Sequence, residues 1–316
     1  MRFRSILIAL AALAGPAHAG MPYSEPMKCP IGGESFEHVT TMSYTIFGQR
    51  PDGKPFGSWH FPLDLPRCPG NGLIVFDEFS PADLERLEPL IASAEYRAML
   101  PVETDYYLAA WLMEKLGRKP IDVAWMIVQA SWQADGKPAL KARYQADYVE
   151  RLRALERKDD EFLWLVMQGR AVNGLRELGR FDEARTLLAS LPLSTLDVAI
   201  PKEKRGPAIS GGEGPVLNDD EIETARNKRG FLQYFGKLEK LIQDRNAASD
   251  PLQMMDERDA ARRCRAGENL SKEDREYCAS MKSDAAKRCR RGNLSKEDRE
   301  YCASKPNQQV MSESPG

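Results

Sequence analysis

The stretch LGRFDEAR, residues 178–185, stands between two helical patterns and sets the architecture of the central chain. One pattern runs from about residue 161 to 178, and the next from about 181 to 191. Gly179 is typical of a helix end, because glycine tolerates the left-handed backbone conformation that closes many helices. Ala184 is small enough to let the second helix approach the first. These residues therefore predict a tight helical hairpin.

The same stretch resembles the turn between the two helices of a tetratricopeptide repeat. A second, weaker version at residues 116–124 lies 62 residues earlier, which is close to two periods of ~34 residues. The resemblance covers about residues 103–192. It implies stacked helix pairs that present a surface to a segment of another protein. A plain helical bundle is the alternative.

Signals on both sides of this stretch extend the helical region. Ser80, Pro81 and Asp83 form a helix start, with a capping serine, a proline at the first position and an acid at the third. Residues 201–217 are rich in glycine and proline and predict a linker. A further helix is expected across residues 218–255. The chain as a whole is expected to be mostly α-helical.

An internal duplication follows at the C-terminus. Residues 259–280 read DAARRCRAGENLSKEDREYCAS, and residues 284–304 read DAAKRCRRGNLSKEDREYCAS. Each copy predicts a helical hairpin with too few large apolar residues to be stable alone. A disulfide across each hairpin would add roughly 3 kcal/mol. We therefore expect Cys264–Cys278 and Cys289–Cys302, with pairing between the copies as the alternative.

The N-terminal part predicts a small β-rich head. Residues 36–47 are rich in β-branched and aromatic side chains, and residues 73–76 read LIVF, an apolar run typical of a short strand. Cys29 and Cys68 each begin a C-P-x-x-G segment, which resembles the cysteine knuckle of a zinc ribbon without its second cysteine. The order of such a head and such helices also resembles an uncharacterised family of bacterial exported proteins.

The degenerate knuckles leave two interpretations of the head. In the first, a Cys29–Cys68 disulfide replaces the metal and contributes roughly 4 kcal/mol by closing ~40 residues. In the second, Cys29, His38, His60 and Cys68 form a Cys2His2 metal site, although their spacing matches no known finger pattern. The disulfide is the preferred interpretation, and no metal or other cofactor is expected.

The N-terminus indicates the compartment. Residues 1–19 have a basic start, an apolar run and an Ala-His-Ala cleavage pattern, as in a secretory signal peptide. All six cysteines lie beyond it, which favours three disulfides in an oxidising compartment. A net charge of −2 gives no broad attraction to nucleic acid, and no later apolar run is long enough for a transmembrane helix. We expect a periplasmic or secreted protein.

The predicted organisation is a chain of modules joined by linkers. Its boundaries are as follows: signal peptide 1–19, β-rich head 20–79, tetratricopeptide-like helices 80–200, linker 201–217, helix 218–255, duplicated hairpins 256–305 and disordered tail 306–316. Motifs of hydrolases, nucleotide-binding loops and zinc proteases are absent from the sequence. The hypothesis is an exported protein-binding or scaffold protein with an envelope or secreted partner. A metal-dependent enzyme and a structural envelope protein are the alternatives, and the oligomeric state stays open.

Overall fold

The computed structural model describes residues 20–157, 161–201, 219–251, 260, 263–264 and 274–280. The described chain is mostly helical, with two small two-stranded sheets and the disulfides Cys29–Cys68 and Cys264–Cys278. The predicted fold class is thereby confirmed. The chain divides into two compact units, one made of the residues up to Gly48 with Lys54–Gly117, and the other of Gln49–Gly53 with the chain from Arg118 onward.

Four strands form the sheets. Strands β1 (Pro22–Lys28) and β2 (Ser35–Thr41) pair antiparallel, and β3 (Ile46–Gln49) pairs with β4 (Pro55–Gly57). The strand predicted at residues 73–76 is wrong. Ile74 makes only an isolated bridge to Arg67, because the chain there is the return arm of a tight turn that begins at Cys68. Its apolar character reflects burial, since Leu73 and Ile74 are both fully enclosed.

Three helices follow in the first unit: α1 (Pro81–Ala92), α2 (Ala94–Met99) and α3 (Asp105–Leu116). The predicted start of α1 is confirmed, since Ser80 and Asp83 form a reciprocal capping box. The predicted boundary between head and helices, at residues 79 and 80, falls inside this unit.

Five longer helices lie in the described part of the second unit: α4 (Pro120–Gln133), α5 (Pro138–Arg153), α6 (Glu161–Glu177), α7 (Phe181–Ser190) and α8 (Asp219–Gln243). Successive helices pack against each other, and α8 also packs on α6 and on a 3₁₀ turn at Leu193–Leu196. Helix α6 is therefore the central element, and ten consecutive residues, Met167 to Arg176, are buried. None of the helices in the described chain is both long and apolar enough to cross a bilayer.

The turn between α6 and α7 has the geometry that its sequence predicts. Gly179 has a φ of +74°, and the Arg180 amide donates back to the Leu175 carbonyl at 2.8 Å. This bond, with one from the Gly179 amide to the Arg176 carbonyl at 3.0 Å, closes the helix end. Ala184 is fully buried, which is consistent with close helix approach.

The C-terminal duplication is described only in its first copy. Cys264 and Cys278 are joined, with Cα atoms 5.5 Å apart, and residues 274–280 are helical. The predicted signal peptide 1–19, nearly all of the linker, the Cys289–Cys302 pair and the tail 306–316 lie outside the described residues. Those predictions stay predictions.

The Gly179 turn yields a stability prediction. Gly179→Ala should lower the free energy of unfolding by roughly 1–2 kcal/mol, because an alanine must adopt the left-handed conformation although nothing crowds its Cβ. Gly236→Ala is the matched control, since Gly236 is an exposed residue within α8 with equally open surroundings. It should stabilise by roughly 0.5–1 kcal/mol. Chemical denaturation measures both, and effects of the same sign would contradict the turn geometry.

Candidate interaction site

The two C-P-x-x-G segments form the same turn. In each, the cysteine amide donates to a carbonyl five residues later, Glu34 or Leu73, at 2.8 and 2.9 Å. In each, the glycine four residues later returns a bond to the cysteine carbonyl and has a positive φ. The turns bring Cys29 and Cys68 together as a buried disulfide with Cα atoms 5.6 Å apart.

This disulfide bears on the proposed Cys2His2 metal site. Neither Cys29 nor Cys68 can offer a thiolate while the two sulfurs are bonded to each other. His38 lies on β2 opposite Glu25, and the His60 imidazole lies 2.9 Å from the Asp64 carboxylate. Among the described residues, no three histidine, cysteine or acidic side chains are grouped to hold a metal ion.

A cavity of about 640 Å³ lies beside the second knuckle, between it, α1 and α2. Arg67, Glu88 and Arg97 contribute charges of both signs to its lining. Arg67 is also held by Asp105 at 3.2 Å, where burial raises the pKa of the carboxyl against the opposing effect of the guanidinium. The lining favours no single ligand chemistry.

A buried polar network surrounds the C-terminal end of α6. The Glu177 carboxylate accepts hydrogen bonds from Gln145, Asn173 and Ser249 at 2.7 to 2.8 Å. Lys141 donates to Ser249 at 2.9 Å and lies 3.4 Å from Glu177. These partners lie on α5, on α6 and in the segment after α8, so the network ties the three parts together.

Arg176 is the largest fully buried side chain of this network. Its guanidinium donates to the carbonyls of Asn246 and Ala248 at 2.6 and 2.8 Å and to the Asn173 side chain at 2.9 and 3.0 Å. Burial lowers the pKa of this guanidinium, and the nearby Glu177 charge opposes the shift. Such complete pairing is what a charged group needs in order to be removed from water.

A second part of the network holds the segment Gln49–Gly53. The Pro51 carbonyl accepts from Arg170 at 2.8 Å and from the Tyr234 hydroxyl at 2.9 Å. Arg50 pairs with Asp52 and with Asp135, the latter at 2.7 Å. In both parts, arginines on α6 therefore bind main-chain carbonyls of non-helical segments from the same unit.

Ser249, Lys141 and Glu177 include the residue types of a nucleophile with a base, but their pairing argues against that role. Lys141 is ion-paired with both Asp135 and Glu177 and donates to the Ser249 hydroxyl, which in turn donates to Glu177. These contacts join α5, α6 and the segment after α8, which is a packing role.

Exposed apolar side chains concentrate in the head. The described chain exposes ten large apolar residues, of which seven lie between residues 21 and 47: Met21, Tyr23, Val39, Met42, Tyr44, Ile46 and Phe47. Only Leu163 and Ile200 belong to the second unit. A segment that exposes this many large apolar side chains is typical of a region that contacts another protein.

The β1–β2 hairpin shows which of its edges can accept another strand. Met42 donates to the Met21 carbonyl at 2.9 Å, and Cys29 to the Glu34 carbonyl at 2.8 Å. In the register that these two bonds define, each odd-numbered residue of β1 exchanges hydrogen bonds with the even-numbered residue of β2 opposite it. The even-numbered residues of β1 and the odd-numbered residues of β2 direct their backbone N–H and C=O groups away from the partner strand.

The two outer edges differ in chemistry. On β1, Pro22 and Pro26 occupy outward positions, so this edge lacks two N–H donors and is blocked against strand pairing. On β2, the outward residues are Ser35, Glu37, Val39 and Thr41. Their outward backbone groups have no backbone partner within the described chain. One edge of the hairpin is closed and the other is open.

No family model, curated protein or solved structure matches this chain. The open β2 edge was not predicted from the sequence. The signal for it is the pair Pro22 and Pro26, because a spacing of four within a strand places both prolines on the same edge.

The polar network yields a pH-dependent prediction. Although burial raises the pKa of Asp135, the hydrogen bonds and charges of Arg50 and Lys141 outweigh it and hold this pKa well below its usual range. The ionised carboxylate therefore stabilises the fold above the unfolded pKa of about 4, and this contribution is lost on acidification. Asp135→Asn should lower the free energy of unfolding by roughly 1–3 kcal/mol at neutral pH.

The difference between wild type and Asp135→Asn should shrink as the pH falls below about 4. Denaturant unfolding across pH measures it. Asp182→Asn is the matched control, because that carboxylate is 81% exposed and its ion pair within the described chain is with Arg185 on its own helix. It should change stability little. A difference for Asp135→Asn that stays constant down to pH 2 would contradict the ion-pair account.

Proposed function

We propose that this chain is an exported protein-binding or scaffold protein whose β1–β2 hairpin pairs with an extended segment of another protein chain. The observation that carries this proposal is the open β2 edge, whose outward residues Ser35 to Thr41 retain all four N–H donors. Strand addition at such an edge gives affinity through main-chain hydrogen bonds. Exposed apolar side chains such as Val39 and Met42 supply additional contact area.

The helical second unit is the scaffold in this proposal. The α6–α7 turn at Gly179 and the buried Ala184 support a tetratricopeptide-like arrangement. In that arrangement the inner helix face is where a ligand binds. Here the polar side of α6 already holds Pro51 and residues 246–249 of the same chain. The hairpin is therefore the better docking surface for a partner.

The partner is an envelope or secreted protein, because the N-terminal pattern of residues 1–19 favours export. The two disulfides of the described chain fit folding outside the cytoplasm. Periplasmic or secreted localisation is the proposal that accounts for both.

Export predicts the state of all six cysteines. Intact mass after iodoacetamide treatment should be unchanged for the native exported protein and should rise by six adducts after denaturation with reductant. The reason is that three disulfides leave no thiol to alkylate. An adduct on the unreduced, denatured protein would contradict the compartment and the third disulfide, Cys289–Cys302.

The docking surface is tested by site-specific photo-cross-linking in cells. A benzophenone side chain at Val39, on the open strand, should give discrete protein adducts because a partner strand lies against it. The same group at Leu163, an exposed apolar residue of the second unit, is the matched control and should give none. Mass spectrometry then identifies the captured chain. Absence of adducts at Val39, or equal adducts at both positions, would overturn the proposed function.

A further inference from the structure

We propose that the strand accepted by β2 is basic and places a lysine or arginine opposite Glu37. This inference rests on the proposed function and names the chemistry of the partner at the same edge. Residues 29–49, which contain β2 and both of its flanks, include the carboxylates of Glu34 and Glu37 and neither a lysine nor an arginine. A basic strand would meet no cationic lysine or arginine along β2, whereas an acidic strand would meet a like charge and find neither residue to pair with.

Glu37 is the carboxylate best placed to read the charge of a partner strand. It is an exposed, outward residue of β2, and its Oε2 accepts a hydrogen bond from the Ser24 hydroxyl at 2.6 Å. Within the described chain Glu37 has no ion pair, so its charge is balanced by hydrogen bonding alone. Glu34 differs, because it precedes β2 and its carboxylate accepts from the Gly70 amide at 2.7 Å. A partner cation would therefore meet a Glu37 side chain that is already oriented, which reduces the entropy lost on pairing.

Strand geometry sets which partner side chains lie beside Glu37. A residue directly opposite it across the open edge would point to the same face of the sheet, with Cβ atoms about 5 Å apart. The next partner side chains on this face would lie opposite Ser35 and Val39, because alternate residues share a face. Val39 is 61% exposed and favours a β-branched apolar neighbour. The expected recognition pattern is therefore a basic residue two positions away from a β-branched apolar residue.

Two capped peptides, TVTKTVT and TVTETVT, are the probes for this preference. Each reads the same in both directions, so pairing does not depend on the orientation of the strand. With the central residue opposite Glu37, the valines fall opposite Ser35 and Val39. The lysine peptide should bind the processed, full-length chain with a dissociation constant about fivefold lower than that of the glutamate peptide. Biolayer interferometry measures both constants, and the difference should shrink in about 1 M salt. Equal binding of the two peptides, or no binding of either at about 1 mM, would overturn the basic-strand inference.

Charge variants assign the preference to one position. Glu37→Lys should reverse it, and Glu37→Gln should abolish it while keeping an oxygen that accepts from Ser24. Glu25→Lys is the matched control, since it makes the same charge change at an exposed residue of the blocked strand β1 and should leave the lysine peptide preferred. Circular dichroism and the thermal midpoint confirm that each variant is folded. Reversal by Glu25→Lys as well would show that net charge alone is sensed, which would overturn the assignment to Glu37.

A proline variant shows whether the peptides bind at the β2 edge. Val39→Pro removes an outward N–H of β2 without touching the bonds to β1, because Val39 and Ser24 face each other as a pair that exchanges no hydrogen bond. Both peptides should lose measurable affinity for this variant. A lysine peptide that binds Val39→Pro as tightly as wild type would overturn the inference, because its site would lie elsewhere.

The photo-cross-linking at Val39 separates failure of this inference from failure of the proposed function. A captured segment with a lysine or arginine within two residues of the cross-linked position would support both. A captured segment without a basic residue there would overturn the basic-strand inference while the proposed function stands. If the benzophenone captures nothing, both fail.

Discussion

A guanidinium that is buried away from water needs a hydrogen-bond acceptor for each of its N–H groups. This requirement at Arg176 organises the second unit. Arg176 is fully buried on α6, and its donors are taken up by two main-chain carbonyls, Asn173 and the neighbouring Glu177. Loss of any of these acceptors would lower the free energy of unfolding, because an unpaired buried charge costs several kcal/mol. The segment after α8 therefore has to return to the end of α6, which fixes the direction of α8.

The same requirement closes the polar side of α6 to outside ligands. Arg170 and Arg176 bind carbonyls of Pro51, Asn246 and Ala248, so two segments of the same chain cover this side of α6. Gly53 fits this arrangement, since its φ is +87° and a Cβ would lie 2.6 Å from the Arg170 Cζ. The second unit binds its own segments on this side, and most of the exposed large apolar side chains of the described chain lie in the head, which is why the head carries the functional argument.

Local chemistry could be predicted from the sequence, whereas long-range polar pairing could not. The Ser80 cap and the Gly179 turn depend on residue type and close spacing, whereas the Cys29–Cys68 pair was indicated by two matching C-P-x-x-G segments 39 residues apart; all three are present in the structure. The pairing of Lys141 with Ser249 joins residues 108 positions apart, and that of Arg50 with Asp135 joins residues 85 apart. Polar side chains carry no periodic signal that identifies such partners.

In the head, by contrast, the sequence does contain a pattern that indicates the candidate interaction site. Prolines are usually taken as evidence against a strand, yet Pro22 and Pro26 stand in β1 because their missing donors face outward. Once that is recognised, the two strands cannot be equivalent, and β2 is the strand left with an intact edge. An exposed strand edge of this kind promotes aggregation unless another strand or segment covers it. Because two prolines block the outer edge of β1, the hairpin can accept a further strand on its β2 side only.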